Sequence, residues 1–273
     1  MTFATILNAA RHDVTDEELN SSVCLAHELS AHLSLVLVAT AELPPIGSEL
    51  ESVSIDWWRQ RQAEQSKLQE HVKRIEALLP SKKIPFDVDA VYTEQLQIDN
   101  VIGHRAQFAD LVVIGRDVLV DPDLRNAVLD GALFHAGVPV LLHPAHGTLS
   151  GAERVVVAWK DTPETAAAVR ASMPFLKQAR KVYLVLVDPP NDDREYAMEL
   201  RDYLTRHGID FWVDRLASDG LTVTETIEKY TASKEADLLV IGAYGHSRLR
   251  ERIFGGVTKS IIDHPKQSVF LAR

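Results

Sequence analysis

Short, β-branched apolar runs recur along the chain, separated by stretches of helical period. Two of these runs are nearly the same: Ala109-Asp110-Leu111-Val112-Val113-Ile114-Gly115 and Ala236-Asp237-Leu238-Leu239-Val240-Ile241-Gly242. Each is too short for a helix and is stopped by glycine, which predicts a strand buried on both faces of a parallel sheet. Each is followed by a closing run, Val138–Leu142 and Ser268–Ala272, and each half opens with a strand-like segment, Thr5–Asn8 and Arg154–Ala158. The chain therefore reads as two copies of one pattern. In the second copy the period predicts a helix over 164–178 despite Pro174, a strand over 181–188 and a helix over 192–206 stopped at His207-Gly208. A strand over 211–217 and a helix over 222–234 complete it, with Thr222 and Glu225 at capping-box spacing.

Five strands alternating with helices predict an α/β fold, a doubly wound parallel sheet in each copy. The first copy has the same order with a longer second helix, 55–79. Opening strands lie 150 positions apart (Ile6, Val156) but the glycines 127 apart (Gly115, Gly242), which places an insertion around 42–79 of the first copy. The turn-rich stretch 143–151 is the expected linker. It gives a first domain over 1–147 and a second over 152–273.

Composition narrows the function. The 273 residues are 46% hydrophobic and 25% charged, an ordinary globular balance. No apolar run approaches the roughly 18 residues of a membrane helix, and no secretory leader is visible. One cysteine, Cys24, supports neither an internal disulfide nor a zinc site, so a cytoplasmic protein without membrane contact is expected. Cys24, beside Val23 and Leu25, reads as a small core residue, and one of Trp57 and Trp58 is expected to pack. Residues 1–150 carry 21 acidic and 11 basic side chains, whereas 151–273 carry 18 of each. A net charge of -10 argues against nucleic acid as a partner.

Candidate chemistry concentrates after the fourth strand of the second copy, because ligands of such sheets bind beyond the carboxyl ends of the strands. There Gly242, Gly245, Gly255 and Gly256 would admit backbone N–H groups close to an anion, with His246, Thr258, Ser260 and several basic side chains nearby. The alternative is that Gly242 merely ends a strand and the arginines coat a solvated surface. P-loop, dinucleotide, nucleophile-elbow and His-ligand motifs are absent.

The spacing Gly242, Gly245, Gly255 resembles the nucleotide-binding signature of universal stress proteins, in tandem form over nearly the whole chain. That resemblance implies two Rossmann-like domains of the adenine nucleotide α-hydrolase type, each a five-stranded parallel sheet in the order 3-2-1-4-5 with helices on both faces. It implies ATP, with or without Mg2+, as cofactor in the second domain. Gly242, Gly245, Gly255, Val257 and Thr258 match the family's phosphate and ribose contacts and Val187 an adenine contact, with adenine between the ends of the first two strands. Ala158, Trp159, Lys160, His246 and Gly256 are the further candidate binding residues, Lys160 favouring phosphate over the nucleoside or, alternatively, marking a ligand other than ATP. Single-domain relatives commonly dimerise, so an intramolecular pseudo-dimer through the closing strands, a homodimer of the chain and an unidentified protein partner are further expectations. Two positions depart from the pattern: Gly256 replaces a Ser or Thr, and Lys160 stands where an acid is usual, with Asp161 one residue along.

After Gly115 the first copy has no second glycine and carries Asp117, Asp121 and Asp123 instead, with only Gly131 near the third glycine position. These carboxylates would repel polyphosphate. They read as charges at helix starts, a divalent-cation site being the alternative, and the first domain as a structural partner. No catalytic or metal-ligating residue is identified. A stress-response regulatory or interaction module that binds an adenine nucleotide is the favoured function; a slow ATP-hydrolysing enzyme and a scaffold without nucleotide are the alternatives.

Overall fold

The computed structural model describes residues 2–43, 55–144, 149, 152–190, 197–243 and 256–273. The chain forms two compact units, Ala4–Ala136 and Gly137–Arg273, the latter including the N-terminal Phe3.

The first unit runs β1 (Thr5–Arg11), α1 (Asp16–Leu29), β2 (His32–Thr40), α2 (Ile55–Leu78), β3 (Phe86–Thr93), α3 (Ile98–Ala106), β4 (Leu111–Gly115), α4 (Arg116–Leu119) and α5 (Pro122–Asp130), then a π-helical turn Gly131–Ala136. Its strands pair in parallel in the order β3-β2-β1-β4. All five residues of β4 are buried, as its unbroken apolar run requires, whereas β3 at the edge shows the alternation of a strand with one wet face. Helix α2 buries Leu68, Val72 and Ile75, a stripe confined to its carboxyl half. In its amino half Trp57 stacks edge-on against Trp58 at 5.0 Å and carries Arg61 over its ring. Trp57 is half-buried and Trp58 is 54% exposed. Cys24 is half-buried instead of lying in the core.

The second unit contains β5 (Val140–His143), β6 (Arg154–Ala158), α6 (Pro163–Ala171), α7 (Met173–Gln178), β7 (Lys181–Val187), α8 (Met198–Arg206), β8 (Phe211–Leu216), α9 (Val223–Ser233), β9 (Leu238–Gly242), α10 (Gly256–Asp263) and β10 (Ser268–Ala272). Strands β6–β10 are parallel in the order β8-β7-β6-β9-β10, the expected 3-2-1-4-5, with helices on both faces. β5 joins this sheet antiparallel to β10, with Leu141 opposite Phe270. The sequence repeat divides the chain near 147–152, whereas contacts divide it at 136/137, because β5 hydrogen-bonds to the closing strand of the other repeat. Phe270 is fully buried and forms an aromatic cluster with Phe3 and Phe175.

One expected helix is two. The stretch 164–178 breaks at Ser172, since Pro174 has no amide to donate into a continuing helix. Ser172 instead starts α7, its carbonyl accepting from Phe175 and Leu176, which leaves proline in the first turn where it is tolerated. The helix expected over 192–206 is described from Met198 onward; residues 191–196 lie outside the described residues. The Thr222–Glu225 capping box forms in both directions.

The acidic residue that precedes each glycine-stopped run has a structural task. Asp110 accepts hydrogen bonds from the amides of Ala4 and Thr5, and Asp237 from the amide of Arg154. Each carboxylate thus fixes the amino end of its unit's first strand against the fourth.

Candidate functional site

In the second unit the strand order reverses between β6 and β9, which pair through Val155–Leu238 and Val157–Val240. The crevice beyond the carboxyl ends of such neighbours is where open α/β sheets bind ligands. Ala158, Trp159 and Lys160 leave the sheet here, tied down by the Trp159 amide on the Val185 carbonyl (2.9 Å). Val187 ends the neighbouring strand β7, and Gly242 ends β9. Lys160 is exposed and forms no ion pair among the described residues.

Beside this edge lies a cleft of about 530 Å³ between α6 and α8. Trp159 and Asp161 line it from the strand end, Ala166, Val169 and Arg170 from α6, and Ala197–Leu200 with Tyr203 from α8. Its volume falls in the range of small-molecule sites, roughly 300–1,000 Å³. Among the described residues two buried polar atoms at this edge have no hydrogen-bond partner: Nε1 of Trp159 and Oε2 of Glu164. Leaving such groups unsatisfied costs about 1–3 kcal/mol each, and functional sites are where that cost is tolerated.

Of the expected site residues, Trp159 is in the wall of the cleft. Ala158, Lys160, Val187 and Gly242 share its edge of the sheet without lining it. Gly256, Val257 and Thr258 form the first turn of α10, with Gly256 exposed and open and Thr258 buried. Gly245, His246 and Gly255 lie outside the described residues.

Gly242 is a glycine for a reason the motif does not carry. A Cβ there would sit 2.6 Å from the Thr165 amide nitrogen, 2.8 Å from Thr165 Oγ1 and 2.9 Å from the Glu164 carbonyl carbon. The first turn of α6, capped by Thr162, packs directly onto the strand end. Sequence reasoning also passed over Arg170 and Tyr203. Arg170 shares a helix face with Ala166 and Val169, a signal that was available; Tyr203 reaches the cleft only through the packing of α8.

The first unit repeats this geometry with a different side chain. Its α1 is capped by Thr15, and the residue three positions on, Glu18, covers Gly115 as Thr165 covers Gly242. A Cβ on Gly115 would lie 1.5 Å from Glu18 Oε1. The carboxyl group is buried and accepts from the Arg116 amide. Burial, and then the charge of Asp117, push its pKa up to about 7 against the pull of that amide. The aspartates after Gly115 act at helix starts: Asp121 accepts from the Leu124 amide as cap of α5 and pairs with Arg11. Gly131 is a close-packing residue, its Cα facing the Asp99 carbonyl of α3. Among the described residues no group of three or more His, Cys, Asp or Glu is placed to hold a metal ion, and no helix is long and apolar enough to cross a membrane.

The fold and its edge thus define a doubly wound α/β protein with a switch-point crevice in its second unit. Residues 214–273 match the sequence model of the universal stress protein family. The chain is similar over 100% of its length to 97% of a universal stress protein from Archaeoglobus fulgidus (TM-score 0.68, 15% identity). It is similar over 99% of its length to 93% of a putative universal stress protein from Pseudomonas aeruginosa (TM-score 0.62, 14% identity). At these identities the likeness establishes the fold, and the family model is matched over residues 214–273. No curated protein matches the sequence.

Proposed function

We propose that the chain is a stress-response regulatory or interaction module that binds one adenine nucleotide, ATP foremost, in its second unit. The observation that carries this reading is the convergence at one sheet edge of an exposed cation, Lys160, which has no ion pair among the described residues, with a cleft of nucleotide size walled by Trp159 and Tyr203. A flat, mostly apolar base suits the aromatic and aliphatic walls, and its edge can supply partners to the polar groups that have none among the described residues. The phosphates are assigned to Lys160, the amide end of α10 at Gly256 and Val257, and the Thr258 hydroxyl, since helix starts favour anions. Any Mg2+ travels with the triphosphate. Lys160 in place of an acid shifts the balance of the site toward phosphate and away from polar recognition of the nucleoside. The first unit is assigned no nucleotide, because the Glu18 side chain already fills the space over the corresponding strand end.

Calorimetric titration of ligand-stripped full chain with ATP, ADP and AMP tests the reading. One site per chain is expected, with affinity rising with phosphate number. Lys160→Asp removes a charge-assisted contact of about 1.5–3 kcal/mol, a loss of roughly 10- to 150-fold in affinity. No heat and no thermal shift with millimolar nucleotide would replace this proposal with a scaffold that binds none. A pseudo-dimer of the repeats and a homodimer of the chain are proposed alongside; sedimentation equilibrium of the full chain measures the latter.

A further inference from the structure

The two units use one helix position differently, and the difference carries a charge. In each, the third residue of the helix after the first strand lies over the glycine that ends the fourth strand. In the second unit it is Thr165, whose hydroxyl and amide fit against Gly242 as neutral groups. In the first it is Glu18, 4% exposed, whose carboxyl oxygen takes the space a side chain at Gly115 would need. The Arg116 amide, at the start of α4, donates to it. Other charges facing it are Asp117 and the Arg116 side chain from α4 and Glu17 from its own helix. Arg11, at the end of β1, is engaged by Asp13 and Asp121. Glu18 itself has no ion pair among the described residues.

We propose that Glu18 is a proton-operated latch in the first unit: protonated, it holds the start of α1 against Gly115 and Arg116, and ionised, it withdraws and frees the strand end and α4. A neutral carboxyl group can accept from the Arg116 amide while buried without the desolvation cost of a charge. An ionised one, facing Asp117 with no cation bonded to it, gains by reaching water. The upward displacement of its pKa to about 7 sets the range. The closed form binds the proton more tightly than the open form, whose carboxyl titrates near the ordinary 4.5. The latch is therefore tightest below pH 4.5, loosens as pH rises, and reaches a plateau above about 7. With those two values, linkage gives an opening equilibrium that grows on the order of 50-fold between pH 5 and pH 7.5.

Native-state hydrogen exchange of the full chain at these two pH values reads the opening directly at residues 115–119, after correction for the intrinsic pH dependence of exchange. The native protein is expected to show the excess acceleration, and Glu18→Gln, which keeps the shape without the titration, to lose it. Glu18→Thr, which installs the second unit's residue, is a second variant with the same expectation. A carboxyl ¹³C titration of the native protein gives an arm independent of any variant, with Glu18 expected to titrate near 7. Excess acceleration that persists in a folded variant, its absence from the native protein, or a Glu18 titration near 4.5 would each overturn the latch.

Discussion

Replacing Gly242 by alanine separates a packing role for this glycine from a purely ligand-facing one. The added methyl would sit 2.6 Å from the Thr165 nitrogen, with Thr165 Oγ1 and the Glu164 carbonyl carbon also inside 3 Å. Two of these three atoms are backbone in the first turn of α6, so no rotamer change relieves the clash. The turn must retreat, and it is held by Thr162, whose hydroxyl accepts from the Thr165 amide at 3.3 Å. Overpacking of this kind costs about 1–3 kcal/mol, and a weakened cap adds about 1 kcal/mol. The smaller entropy of an alanine in the unfolded chain returns about 0.4–1 kcal/mol. A net loss of roughly 1–3 kcal/mol is expected without any nucleotide present. Urea unfolding measures it, with Trp57 and Trp58 replaced by Phe so that Trp159 and Trp212 report on the second unit alone. At a slope of roughly 1–3 kcal/mol per molar, the midpoint should fall by about 1 M. Gly256→Ala is the control: nothing lies within 4 Å of a Cβ there, and the position is exposed at the start of α10. It should leave stability unchanged or raise it by up to about 1 kcal/mol. A Gly242→Ala protein within about 0.5 kcal/mol of the native one would refute the packing argument.

Asp121→Ala removes both the cap of α5 and the partner of Arg11, and should cost the first unit about 1–2 kcal/mol in denaturant unfolding. An undiminished stability would return these carboxylates to the status of plain surface charge. Tyr230→Phe deletes the hydroxyl that donates to Asp214, which Lys234 also pairs at 3.2 Å, and should cost about 1–2 kcal/mol at neutral pH. The Tyr230 hydrogen bond, with Lys234, holds the Asp214 pKa below its ordinary 3.8. That stabilisation is present above pH ~4 and lost as pH falls through the folded value, so the difference between variant and native protein should shrink in acid.

Much of the architecture is a matter of local pattern, and the amino-acid sequence by itself determined it. The runs Leu111–Gly115 and Leu238–Gly242 announce buried strands through their unbroken β-branched composition, and their recurrence announces the repeat. Thr222 and Glu225 mark a helix start because both hydrogen bonds of the box close within one turn. Even the insertion that lengthens α2 follows from counting offsets. Such signals depend on neighbours a few residues apart, whose geometry is fixed once the period is known.

What only the tertiary structure decided involves residues brought together from far along the chain. Thr15 and Glu18 have the same spacing as Thr222 and Glu225, yet Glu18 turns inward to Gly115 and the Arg116 amide, almost a hundred residues away. No local rule separates the two cases, because the choice depends on what β4 presents when it arrives beside α1. Asp110 and Asp237 were visible as a repeated acid, but their task appears only when each meets the amide of its unit's first strand. The pairing of β5 with β10 and the fit of Thr165 over Gly242 belong to the same class. Sequence spacing names the residues at a strand end; which side chain fills the space above a glycine, and whether it brings a charge there, is settled by the long-range packing of helix on sheet.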